Sequence, residues 1–223
     1  AEFTRLVSMP AESLVRASAA GDQSGMEAIQ SAAHTLSALT RAFGGKSHSA
    51  RMLLSKTMSG VLPPCMNIIK ALSQNPGIDQ TGKVAQNVIQ LLISCFDVIS
   101  KEMGDDLITS IVKEFIDLYS NPNAMRSLSV DTGASLMELL TLLARRPGSK
   151  FKALSLQTLE FCIGIWPKLT GQNGVSHSDV LQLLLKILRY QWRGMGESHV
   201  QGVMNLLLEL LLKPDLVQRC IAE

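Results

Sequence analysis

The chain has 223 residues, a formal net charge of +2, and 46% hydrophobic but only 4% aromatic residues. The length allows one or two globular domains or one extended array, and the leucine-, alanine- and methionine-rich composition favours helices over sheets. So small a net charge argues against nucleic acid or an anionic membrane as the main partner, and no run of about 18 apolar residues offers a membrane span.

In chain order, the apolar spacing is helical almost throughout. A short helix is expected near 11–20, then helices at about 25–43 and 47–73. Pro63 and Pro64 are expected to kink or split the last of these. Val84, Val88, Leu91, Leu92, Cys95, Phe96, Ile99 and Met103 share one face of a helix that Gly104 ends. Asp105 and Asp106 open the next, where acidic groups favour the helix N-terminus. "SNPN" at 120–123 stops it. A helix at about 132–146 follows, with Asp131 or Thr132 as its cap. After the turn "RRPGSK" comes a helix at about 150–170, which "GQNG" at 171–174 interrupts. Ser176 or Ser178 caps a helix reaching about 193, and beyond "GMGE" another spans about 198–213. Pro214 suits the first turn of a further helix, because its missing N–H has no intrahelical partner there anyway.

These segments read as antiparallel pairs over 25–73, 78–120, 131–170 and 176–213. The pairs repeat at about 45–53 residues, near the ~40–47 of HEAT and armadillo repeats. Stretches such as "LQLLLKIL" at 181–188 are apolar on more than one face, as a two-layer array requires. The fold class expected is all-α: an α-solenoid of about four HEAT-type helix pairs. With "KPDLVQRCIAE" resembling an unfinished repeat, it is expected to be a fragment of a longer superhelix, cut at both ends.

Several short motifs invite a chemical reading. Gly45, Lys46 and Ser47 match the end of a phosphate-binding loop, but that loop needs a glycine five residues before Gly45, where Thr40 stands, and a preceding strand. A left-handed Gly44 or Gly45 ending one helix, and Ser47 or Ser49 capping the next, explains the same residues. "SHSD" at 176–179 places Ser, His and Asp side by side, which cannot supply the geometry of a triad meeting in space. His34, His48, His177 and His199 have no metal-ligand spacing with one another or with the cysteines; His34 is expected to lie inside. Cys65, Cys95, Cys162 and Cys220 contain no CxxC and fall in apolar stretches, so reduced core thiols in a cytosolic or nuclear setting are expected. No leader for secretion is visible after Ala1. No enzyme activity, cofactor or metal is expected.

Two basic groups remain. Arg145, Arg146, Lys150 and Lys152 crowd the turn "RRPGSKFK". Lys186, Arg189 and Arg193 lie at steps of three and four, with Tyr190 and Trp192 among them. A solvated face with snorkelling side chains accounts for both groups. The functional alternative is contact with an acidic patch on a protein partner.

Three stretches go further: "LMELLTLLARRPGSKFKALSLQTLEFCIGIWPKL" at 136–169, "LLLKILRYQWR" at 183–193 and "LLLKPDLVQRC" at 210–220. Together with the layout of 98–119, they resemble a stretch of a karyopherin-β nuclear transport receptor of the exportin type, in the branch that carries actin with profilin. The resemblance covers most of the chain from about residue 25. It implies a superhelix of HEAT pairs that binds protein cargo together with Ran-GTP, touches nucleoporin repeats in transit and shuttles between nucleus and cytoplasm. It implies no catalytic residues, nucleic acid or membrane. The family's main Ran-binding segment lies near its N-terminus, so the resemblance does not carry Ran binding onto these residues. The alternative is a static HEAT scaffold in a large assembly.

Overall fold

The computed structural model describes residues 2–20, 23–74, 79, 83–99, 105–120, 129–145, 149–169, 174–215 and 217–218. Among them are nine α-helices and no strand: α1 Glu2–Ala20, α2 Gln23–Phe43, α3 His48–Gln74, α4 Lys83–Val98, α5 Asp105–Tyr119, α6 Val130–Ala144, α7 Ser149–Ile165, α8 His177–Gln191 and α9 Glu197–Leu212. Short 3-10 turns follow α7 (Trp166–Lys168) and α8 (Trp192–Gly194). The chain divides into two compact units, Ala1–Leu118 and Tyr119–Glu223.

In the first unit, helices pack on their sequence neighbours and on those two positions away. α1 lies along α2 and α3, and α4 lies along α2 and α3. A helix with two partners must be apolar on two faces, and α4 is: Val88, Ile89, Leu91, Leu92, Cys95 and Phe96 are all buried. Burying each large side chain contributes about 1.5–3 kcal/mol. Among these apolar contacts runs one polar ladder. The Ser37 and Ser94 hydroxyls are 2.7 Å apart, Arg41 Nε donates to Ser94 Oγ (2.9 Å), and Arg41 Nη2 donates to Gln90 Oε1 (2.7 Å). Sliding α2 along α4 breaks all three, so the ladder sets their register. Lys70 on α3 meets Glu114 on α5 at 2.9 Å.

The second unit repeats the scheme. α6 packs on α7 and α8, and α7 on α8 and α9. Contacts between helices two apart mark stacked helix pairs, and the architecture is the all-α helical-repeat type. On α9, Val203, Leu206 and Leu210 are buried, while Val200, Met204, Leu208, Leu211 and Leu212 form an exposed apolar stripe.

Element ends differ from the sequence expectations in instructive ways. The first helix begins at Glu2, not near 11, and carries Pro10 inside it; Val7, Ala11, Leu14 and Ala17 form its buried edge. α3 is not split by Pro63 and Pro64. Pro63 is exposed, and so are Ser59 and Gly60, whose carbonyls lose their i+4 partners at a position open to solvent. α6 starts earlier than expected: its cap is Ser129, whose Oγ accepts from Thr132 N (3.2 Å), neither Asp131 nor Thr132. α7 ends at Ile165 because Pro167 supplies no N–H to continue it. α4 ends at Val98, and the expected stop at Gly104 lies outside the described residues, as do 121–128 and 171–173. Pro214 and Asp215 are helical, and Val217 N donates to Lys213 O (3.3 Å), as an opening turn requires.

The phosphate-loop lookalike resolves into a helix junction. Ser47 Oγ accepts from Ala50 N (3.1 Å) and caps α3. Neither Gly44 nor Gly45 takes the left-handed conformation expected of it. Gly44 is needed for space: a Cβ there would run into the Val98 side chain at the end of α4 and lie 2.7 Å from Thr40 O.

Two outcomes follow from this packing. A Cβ on Gly133 would overlap the backbone carbonyl of Gly174, which cannot rotate away as a side chain would. Alanine gains about 1 kcal/mol of helix propensity at an interior position, but overpacking costs about 1–3 kcal/mol. Gly133→Ala is therefore expected to lower the thermal midpoint; an unchanged or raised midpoint contradicts the close approach. Cys65, Cys95 and Cys162 are buried and unpaired, and Cys220 lies outside the described residues. Burial pushes the Cys65 and Cys162 thiols up to about 12, and that of Cys95 higher. All three are expected to resist alkylation at mildly alkaline pH until the protein unfolds, as read by mass spectrometry of each cysteine peptide.

Candidate partner-binding surface

α8 begins with a complete capping box. Asp179 N donates to Ser176 Oγ (3.1 Å), and Ser176 N donates to Asp179 Oδ2 (3.0 Å). The serine and the aspartate of the "SHSD" motif are thus engaged in starting a helix. Its histidine packs edge-on against Trp166, with ring centroids 4.8 Å apart.

The capped helix then buries Val180, Leu183, Leu184 and Ile187 and turns its opposite side outward. Leu185, one of the leucines of the "LQLLLKIL" run, is exposed. So are Arg189, Tyr190, Trp192 and Arg193, while Lys186 is half-buried. Trp192 and Arg193 lie in the 3-10 turn Trp192–Gly194 that directly follows α8. Arg189 lies 5.7 Å from the Tyr190 ring centroid and Arg193 lies 5.5 Å from that of Trp192. Arg189 and Arg193 are thus each exposed beside an aromatic ring at the end of α8, and Lys186 lies about one turn earlier. The sequence spacing already indicated the cations; the exposure of Leu185 and Trp192 emerges only from which side α8 buries.

The other basic group is described only in part. Arg145 is exposed and ends α6, its N–H donating to Leu143 O. Arg146 lies outside the described residues, as do the side chains of Lys150 and Lys152 on α7.

A second polar cluster escaped sequence reading because its members are far apart in the chain. Trp166 is buried, and its indole N–H donates to Glu209 Oε2 on α9 (3.2 Å). Glu209 Oε1 meets Lys213 Nζ at 2.6 Å. The Lys213 hydrogen bond, aided by its charge and the Trp166 N–H and opposed by desolvation, holds the Glu209 carboxyl below the ordinary range. At the start of α9, His199 Nδ1 accepts from Gly196 N (3.1 Å), which leaves Nε2 to donate to Glu160 Oε1 (3.0 Å). His34 is exposed, contrary to the interior place expected, because the buried edge of α2 runs through Ala33, Leu36, Ser37 and Thr40.

Among the described residues, no three or more His, Cys, Asp or Glu side chains are placed to hold a metal ion. A groove between α1 and α2, lined by Met9, Glu12, Ser13, Arg16 and Gly25 among others, contains a single carboxylate and a single guanidinium. No helix among the described residues is long and apolar enough to cross a membrane.

Fold and surface together define a helical-repeat protein that presents side chains from helix faces. The chain is similar to Exportin-6 of Dictyostelium discoideum, with 23% identity over 139 residues. That match takes in 59% of this chain and 13% of the length of the relative. No family model and no solved structure matches the chain.

The Glu209 cluster yields a pH dependence. Its folded-state value lies below the unfolded one, so its contribution is full above the ordinary carboxylate range and is lost as pH falls through the folded value. Glu209→Gln is expected to cost up to about 1 kcal/mol near neutrality and nothing in strong acid. Paired melting curves across pH check this; a gap that persists unchanged into acid contradicts it.

Proposed function

We propose that the chain is a segment of a nuclear export receptor of the karyopherin-β type. Both units belong to one array of HEAT-type pairs, about 25–73, 78–120, 131–170 and 176–213. The receptor binds folded protein cargo, actin with profilin, together with Ran-GTP. It touches nucleoporin repeats in transit and shuttles between nucleus and cytoplasm. The observation that carries the reading is the similarity to Exportin-6, on a chain whose helices pack in the manner of stacked repeat pairs. Arg145, Arg146, Lys150, Lys152, Lys186, Arg189 and Arg193 are the proposed contacts to partners.

The physics suits the task. In a repeat array each helix pair contacts only its neighbours, so small shifts at many interfaces add up to a change of curvature. Binding of a GTPase can then bias the shape offered to cargo, and the coupling is reciprocal.

The test uses the natural full-length polypeptide that contains this chain, immobilised and incubated with purified actin–profilin, with and without Ran locked in its GTP form. Retention of actin and profilin only with Ran-GTP is the expected result. Release of cargo by Ran-GTP makes the protein an importer, and indifference to Ran-GTP makes it a static scaffold.

A further inference from the structure

The outer corner of α8 has features that a merely solvated helix end does not need. Between Asp179 and Glu197 the sequence holds three cations and no acidic residue. Among the described residues, none of Lys186, Arg189 and Arg193 has a carboxylate partner. The two guanidiniums lie over aromatic rings instead, which orders them while leaving their N–H edges open for bidentate bonds. Beside them Trp192 is 60% exposed, Leu185 53% and Tyr190 46%. Arginine, tryptophan and tyrosine are the residue types that dominate binding energy at protein interfaces.

We propose that this corner, formed by Leu185, Lys186, Arg189, Tyr190, Trp192 and Arg193, is a docking site for an acidic segment of a partner protein. Carboxylates of the segment pair with the three cations, and an apolar side chain between them packs on Leu185 and Trp192. Charge complementarity selects this occupant. Single-stranded nucleic acid is the rival for any basic and aromatic surface, since bases stack on exposed rings. It fits less well, because a phosphate backbone needs a track of cations, and here there are three on a chain of net charge +2. One face of each ring is also already taken by its arginine. The inference deepens the transport reading but borrows from it only that the partner is a protein.

The experiment uses the 223-residue chain, with no Ran present, so its result is separate from that of the transport test. A fluorescein-labelled peptide of repeated Glu-Asp-Leu is titrated with the chain and followed by anisotropy, beside a Gln-Asn-Leu peptide and an oligothymidylate. Tryptophan emission is recorded in parallel with unlabelled peptide; Trp166 is buried, so a shift reports on Trp192. The acidic peptide is expected to bind saturably and to move that emission to the blue. The double variant Arg189→Glu with Arg193→Glu should weaken binding about tenfold or more, and Trp192→Ser several-fold. Arg5→Glu with Arg16→Glu, an equal charge change on exposed positions of α1, should leave affinity within about twofold. Circular dichroism confirms that each variant keeps its helix content and melting midpoint. The proposal is overturned if the acidic peptide does not bind or if the uncharged peptide binds as tightly. Equal weakening by the α1 variant also overturns it, and so does tighter binding of the oligothymidylate at the same residues.

Discussion

The structure depends on one constraint: a helix that is apolar on two faces cannot be satisfied by a single partner. α4 shows it most plainly, with Val88, Ile89, Leu91, Leu92, Ile93, Cys95 and Phe96 all buried around its circumference. A two-helix hairpin would leave one of those faces in water. Packing on the neighbour and on the helix two positions away removes both faces from solvent, and once that rule holds for one helix it propagates to the next. The low aromatic content follows, since medium aliphatic side chains interdigitate between closely spaced helices. Function on such a frame resides on the faces left outside.

Apolar packing alone does not choose a register, because leucine slides past leucine at little cost. Sparse polar contacts make that choice. Arg41, Ser37, Ser94 and Gln90 do so between α2 and α4, and the Trp166–Glu209 bond does so between the end of α7 and α9. Close approach is the other device: Gly44 against Val98, and Gly133 against Gly174. Each works because its alternative is an unmade hydrogen bond or a steric overlap, both costlier than the loss of a few apolar contacts.

The outward faces are not alike. α9 shows an apolar stripe through Val200, Met204, Leu208 and Leu211, whereas α8 shows cations and rings. The first is apolar; the second carries the docking surface proposed above. Similarity to Exportin-6 is a relation to a protein that is much longer than the matched stretch, and it bears on that stretch rather than on any one side chain.

Helix positions were legible in the sequence because a step of 3.6 residues is a local property, written wherever one side of a helix is apolar. Caps were legible to within two candidates at α3 and α8: of Ser47 or Ser49 it is Ser47 that caps, and of Ser176 or Ser178 it is Ser176. Ser129 was not among the candidates, because Asp131 and Thr132 just inside the helix offered equally good chemistry. The cationic face of α8 was legible for the same reason as the helices, by spacing. The exposure of Leu185, the reach of Trp166 to a residue 43 positions away, the outward turn of His34 and the reason for each glycine were not. By itself the sequence determined what repeats every turn: the helices, most of their ends and the stripe of cations. Only the tertiary structure decided which apolar face is covered, which polar group finds a distant partner and which glycine must stay small. Those outcomes depend on what a neighbour from elsewhere in the chain brings into contact, and no local pattern encodes it.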